Sequence, residues 1–267
     1  MRWATFSLAS GSLSLACGTS GKQVLAPPDA IPAKVTVAGG IMHNGAALEA
    51  IRSTSTLASY SISRTPTTVK QYGQCVSAGA CSPPSVKDGP CKGFGANAGA
   101  TFGQKKAAQD QPVTCVTSDD ANKYCSWVGG RLPTSSEWLL AARGPEVQRF
   151  AWGLTPATCA QRADHVPMLD CCGEACESEV ATAVGRHSAG NSPSGMSDVL
   201  LAPSELIAGD TSSPEPACSP PARSCIVAGM QPGGIDTFMV APKAEHNSTI
   251  TRFFATSFRC AWEGAAQ

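Results

Sequence analysis

The segment QPVTCVTSDDANKYCSWVGGRLPTSSEWLLAARG, residues 111–144, decides the fold. It spells out two helices with their own start and stop signals. Thr117, with Asp120 three residues on, marks one start; Ala121, Tyr124, Cys125 and Val128 then recur at helical spacing until Gly129-Gly130 ends the pattern. Thr134 and Glu137 mark the second as a capping box, in which hydroxyl and carboxylate each accept from a backbone N–H that the first turn leaves unpaired. The run WLLAA that follows, residues 138–142, has no polar face, so this helix is expected to be buried on most sides before Gly144-Pro145 stops it.

Further toward the N-terminus the same logic repeats. Thr68 and Gln71 open a helix in which Val69, Tyr72 and Val76 share a face, and Gly79 closes it. KVTV at 34–37 and SYSIS at 59–63 alternate polar and apolar residues with period two, the pattern of half-buried strands. For all three helices the apolar positions read as ordinary core.

The chain has 267 residues, enough for one large domain or two small ones, and no break in composition appears after about residue 34. A single domain over 34–265 is therefore expected. Its 26 glycines and 20 prolines are spread throughout, which disfavours long helical bundles. Lys plus Arg and Asp plus Glu number 20 each, and the longest basic run is Lys105-Lys106. Nucleic-acid readers carry a basic patch or stripe, so no nucleic-acid partner is expected.

At the N-terminus, MRWATFSLASGSLSLAC places Arg2 before an apolar and small-residue stretch ending at Cys17. This reads as an export signal, too short to remain as a membrane span. Its end resembles a bacterial lipoprotein cleavage site, at which Cys17 receives a diacylglycerol and becomes the new N-terminus, although Ser14 stands where such sites usually carry Leu. The expected location is the bacterial cell envelope, periplasm or outer surface, with the membrane as a partner through this lipid. Residues 18–33, small and Pro-rich, read as a flexible tether. Of the 13 cysteines, 12 remain once Cys17 is set aside, an even set that in an exported protein indicates disulfides. Zinc is the rival reading, but Cys171, Cys172 and Cys176 do not make the paired knuckles of a structural zinc site.

Residues 111–144 resemble the signature of the formylglycine-generating enzyme family, the sulfatase-modifying factor domain, with RLPTSSEW at its centre. Four further stretches agree in order: SYSISRTPTTVKQYGQCVSAGACSPP from Ser59, FAWG at 150–153, TAVGRHSAGNSPSGMSD from Thr182, and TSFRCA at 256–261. The resemblance implies an α+β domain, irregular and loop-rich, of the C-type-lectin-like kind with short strands and few helices. It also implies a disulfide between Cys125 and Cys260.

Members of that family divide by chemistry. The copper-dependent enzymes oxidise a substrate cysteine with a C-x4-C thiol pair shortly before the terminal Phe-Arg-Cys, a soft donor set that suits Cu(I). Here the 34 residues 226–259 contain no cysteine, and Cys218 and Cys225, farther upstream at C-x6-C spacing, suggest a bridge that closes a short loop. An iron-binding branch uses three histidines, whereas His43, His165, His187 and His246 are widely separated and read as surface or loop residues. Copper and iron are therefore not expected. The resemblance also places Asp198 and Glu205 on positions that ligate calcium in the family, and Asp164 on a second calcium loop. The plainer reading makes Asp198 and Glu205 solvated loop acids. The function expected is a lipoprotein that uses the domain as a non-catalytic binding or structural module for a peptide, protein or glycan. The alternative is a formylglycine-generating oxidoreductase.

Overall fold

The computed structural model describes residues 25–44, 53–84, 109–145, 148, 150–155, 183–199, 204–208, 224–228, 241–243 and 256–264. Four short strands come first: β1 (Lys34–Val37), β2 (Gly40–Asn44), β3 (Ser53–Leu57) and β4 (Tyr60–Ser63). Three helices follow, α1 (Val69–Ser77), α2 (Ser118–Trp127) and α3 (Ser135–Arg143). Then come β5 (Ser204–Ala208), β6 (Ser224–Ala228), β7 (Ala241–Lys243), β8 (Thr256–Phe258) and β9 (Ala261–Glu263). The result is α+β, loop-rich, with short strands and few helices.

Each helix begins at a threonine whose hydroxyl accepts from the backbone N–H three residues on, in a complete capping box: Thr68 with Gln71, Thr117 with Asp120, Thr134 with Glu137. Asp120, one methylene shorter than the usual partner, still reaches the Thr117 N–H at 3.1 Å. All nine residues of α3 are buried. At the end of α2 the two glycines do different work. Gly129 takes a positive φ of 78°, whereas a Cβ on Gly130 would stand 2.6 Å from the Ala261 carbonyl oxygen and 2.8 Å from the Trp262 ring. That close approach lets Arg131 and Ala261 exchange backbone hydrogen bonds of 2.9 and 2.7 Å.

The strands pair across great sequence distance. β1, β4 and β9 form an antiparallel sheet in which Val35 opposes Ile62 and Ile62 opposes Ala261. β2 and β3 pair by themselves, and β7, β6, β5 and β8 form a four-stranded sheet whose β5–β8 pair is parallel. Contrary to the alternation in its sequence, β4 is buried at every residue. It is the central strand of its sheet, and its serines are covered because their hydroxyls find acceptors, Ser61 on the Gly264 carbonyl and Ser63 on the Cys260 carbonyl, both at 3.2 Å.

Two apolar clusters fill the interior. One surrounds α3, with Trp138, Leu139 and Leu140 against Tyr60, Ile62, Phe150, Met196 and Ile207. The other lies between α1 and α2, where Tyr72, Tyr124 and Phe258 stack edge-on or tilted. Successive residues of β5 divide between them, Leu206 to the α1–α2 cluster and Ile207 to the α3 cluster, as strand pleating requires. Cys125 and Cys260 are joined, Cα atoms 5.4 Å apart, across a separation of 135 residues. A loop of that size corresponds to about 4 to 5 kcal/mol in the chain-entropy account. A second bridge, Cys75–Cys81, clips the end of α1.

Residues 25–33 depart from the tether expectation. Pro28–Ala30 form a 3-10 turn against α1, the Tyr124 hydroxyl donates to the Ala30 carbonyl at 2.7 Å, and the Gln74 amide donates to Asp29. The small Ala30 side chain is fully buried, a contact that a Pro-rich composition conceals.

One cation ties these parts together. Arg259, 0% exposed, donates through Nε and Nη2 to the two oxygens of Glu205 at 2.6 and 2.5 Å. Its remaining N–H groups reach the carbonyls of Ser63, Arg64 and Ser197 at 3.1 to 3.2 Å, so the whole guanidinium fork is satisfied. Trp138 Nε1 donates to the same carboxylate at 2.8 Å. Nearby, Glu137 adds to its capping role a two-point ion pair with Arg131 at 2.6 and 2.7 Å, and Arg131 also donates to Glu263 of β9. Burial works to raise the Glu137 carboxyl, but hydrogen bonds from Arg131 and Thr134 hold it below its ordinary value.

Two outcomes are expected. Glu205→Ala leaves Arg259 buried without its counter-charge and should lower the unfolding free energy by about 3 to 5 kcal/mol in urea titrations; a loss under about 1 kcal/mol would contradict this role. Because Glu137 binds its proton more weakly folded than unfolded, its contribution is complete above about pH 4.5 and is lost as pH falls through the lower folded value. Stability measured against pH should therefore decline less steeply on the acid side in Glu137→Gln than in the parent.

Candidate functional site

The loop 183–199 lies over the buried cation. It is anchored at both ends of its turn: Val184 N–H donates to Asp110 O at 2.9 Å, and Ser194 Oγ to Ala141 O at 2.7 Å. Gly195, with φ of 84°, and Ser192 make the turn that drops Met196 into the α3 cluster. Ser197 N–H then pairs with Arg64 O at 2.7 Å while its own carbonyl faces Arg259.

Asp198 follows in the left-handed region, φ 58°, which a short polar side chain tolerates better than most. It is 4% exposed. Its Oδ2 accepts from the Gly185 N–H at 2.6 Å, and its Oδ1 is buried without a hydrogen-bond partner among the described residues. Burial raises the Asp198 carboxyl above its ordinary value; Gly185, Arg259 and His187 pull it down, and Glu205 pushes it further up. The structure thus brings Asp198 and Glu205 into the neighbourhood of one buried charge, that of Arg259. They are not solvated loop acids: Glu205 is 3% exposed and sits on β5.

That cation is a guanidinium, and this bears on calcium. Both oxygens of Glu205 are engaged by Arg259, one of them also by Trp138, so Glu205 does not fit a Ca2+ ligand, which must present oxygen to the metal without a competing cation. Asp198 offers one oxygen. Among the described residues no group of three or more His, Cys, Asp or Glu side chains is placed to hold a metal ion. Asp164 lies outside the described residues, as do His165 and His246 and the lipidation candidate Cys17. His187 is half-buried in the loop beside Asp198. His43 is on β2, paired in register with Thr54.

The thiol inventory is equally specific. Cys75, Cys81, Cys115, Cys125 and Cys260 are all disulfide-bonded. Cys225 is on β6, opposite Ile207, because the four-stranded sheet recruits that segment; Cys218 lies outside the described residues. A separate concavity of about 590 Å3 opens between α1 and α2, lined by Leu25, Ala80, Asp119, Lys123 and Trp127. Neither Arg259 as the partner of Glu205 nor this groove was foreseen from the sequence. The terminal TSFRCA motif was the one available signal for the former.

Comparison with known proteins agrees with this architecture. A formylglycine-generating enzyme of Streptomyces coelicolor is 50% identical over 50 residues, 18% of this chain and 16% of that protein. An inactive C-alpha-formylglycine-generating enzyme 2 of Bos taurus is 51% identical over 43 residues, 16% of this chain and 14% of that protein. The matched segments thus span about a sixth of these relatives. Among solved structures, the crystal structure of CarF superposes with a TM-score of 0.60 at 16% identity, covering 89% of this chain and all of that one, a likeness of fold. The family described as "Sulfatase-modifying factor enzyme 1-like domain" matches residues 22–190, well over half of the sequence, and the chain belongs to that family.

Proposed function

We propose that this protein is a cell-envelope lipoprotein whose sulfatase-modifying-factor domain serves as a binding or structural module for a peptide, protein or glycan, without a redox centre of its own. One observation carries the reading. Every cysteine whose side chain is described is already in a disulfide, and residues 226–259, where the copper-dependent members place their thiol pair, contain none. A disulfide sulfur is not the thiolate that Cu(I) requires. The set of bridges also supports an oxidising, exported setting.

The second reading, formylglycine generation on exported substrates, draws on the likeness to the Streptomyces coelicolor enzyme. The likeness to a relative named as inactive is as high over a segment of similar length, so the shared stretch favours neither. Chemistry separates them. Purified, copper-loaded protein incubated with oxygen and a Cys-x-Pro-x-Arg peptide should return the peptide intact by mass spectrometry. Conversion of cysteine to aldehyde, lost on replacing Cys218 or Cys225, would establish the oxidoreductase instead.

Calcium has a separate test. With Arg259 already compensating Glu205, melting temperatures in calcium and in chelator should coincide. A rise in calcium that disappears in Asp198→Asn would return the metal to this loop, since a ligand that binds only the folded state raises apparent stability.

A further inference from the structure

The chain comes onto the fold along the α1–α2 face. Tyr124 and Gln74 hold residues 29 and 30 there, and Leu25, four residues earlier, lines the 590 Å3 groove together with Ala80, Lys123 and Trp127. Leu25 is 83% exposed and Ile31, on the same run, 37%. Large apolar side chains left in the open next to an apolar-walled groove mark a contact surface. Asp119 and Lys123, both exposed on α2 and lining the groove, offset each other in charge.

Resting on the lipoprotein reading above, we infer that this face lies against the phospholipid bilayer that anchors Cys17. The sequence sets the geometry: Leu25 lies eight positions after Cys17, a span of at most about 29 Å when fully extended. Leu25 therefore stays within that distance of the membrane surface, and the fixed attachment at residues 29 and 30 turns α1 and α2 toward it. Trp127, half-buried against the α1–α2 cluster, walls the groove from the α2 side, and Leu25 supplies the apolar side chain that reaches the lipid.

The test uses the full lipidated protein in vesicles of phosphatidylglycerol and phosphatidylethanolamine, with and without a phospholipid that carries a nitroxide on its headgroup. Trp138 and Trp262 are buried, and Trp152, half-buried like Trp127, is replaced by Phe in every sample, so the nitroxide should quench a fraction of the emission that disappears in Trp127→Phe and weakens in Leu25→Glu. Absence of quenching, or quenching undiminished in either variant, overturns the inference while leaving the anchor intact. An N-terminal peptide whose Cys17 carries no diacylglycerol by mass spectrometry removes the anchor reading and the inference with it.

Discussion

Five hydrogen bonds from a single guanidinium hold this fold in register. Arg259 reaches the end of β4, the loop 183–199 and β5 from its own place between β8 and β9, and Trp138 brings α3 to the same carboxylate. Strands of three to five residues make short ladders, so much of the long-range order must come from such a hub. Its geometry is also restrictive. A buried ion pair contributes little net stability against an apolar replacement, but only one arrangement satisfies every donor, and that arrangement fixes which segments meet. The same charge offsets part of what burial and the nearby Glu205 do to raise the Asp198 carboxyl.

Around the hub, small groups are used more than once. Glu137 closes the capping box of α3 and, through Arg131, reaches β9. The Arg131–Ala261 backbone bridge beside it exists because residue 130 has no side chain. Helix start, turn and sheet edge are thus set within eight residues of sequence, 130–137, which is why the segment is dense in recognisable signals.

That density decides what could be read in advance. Capping boxes and glycine stops are local codes, and α1, α2 and α3 begin and end where those residues stand. Burial of α3 followed from a run with no polar face. The failures are non-local. Period-two alternation in residues 59–63 says that two faces differ, not whether the second is covered, and β4 is covered on both. Asp198 and Glu205 stood out as acids with a shared neighbourhood, but the charge that Glu205 binds comes from a residue 54 positions beyond it, and nothing local to either names it. The place of Cys225 on β6 depends on pairing with Ile207, again information held elsewhere in the chain. Residues 25–33 look like a spacer in composition because their contacts use backbone carbonyls and a small alanine.

The three-stranded sheet has a consequence for the order of events during synthesis. β4 lies between β1, made just before it, and β9, made near the end, and Ser61 bonds to Gly264 across 203 residues. A ribosome that has released the first 200 residues has delivered neither β9 nor Arg259, and Cys125 has no Cys260 to join. Contacts this distant slow folding by comparison with local ones. Until its last strand emerges, the chain can pair β1 with β4 but cannot complete its first sheet.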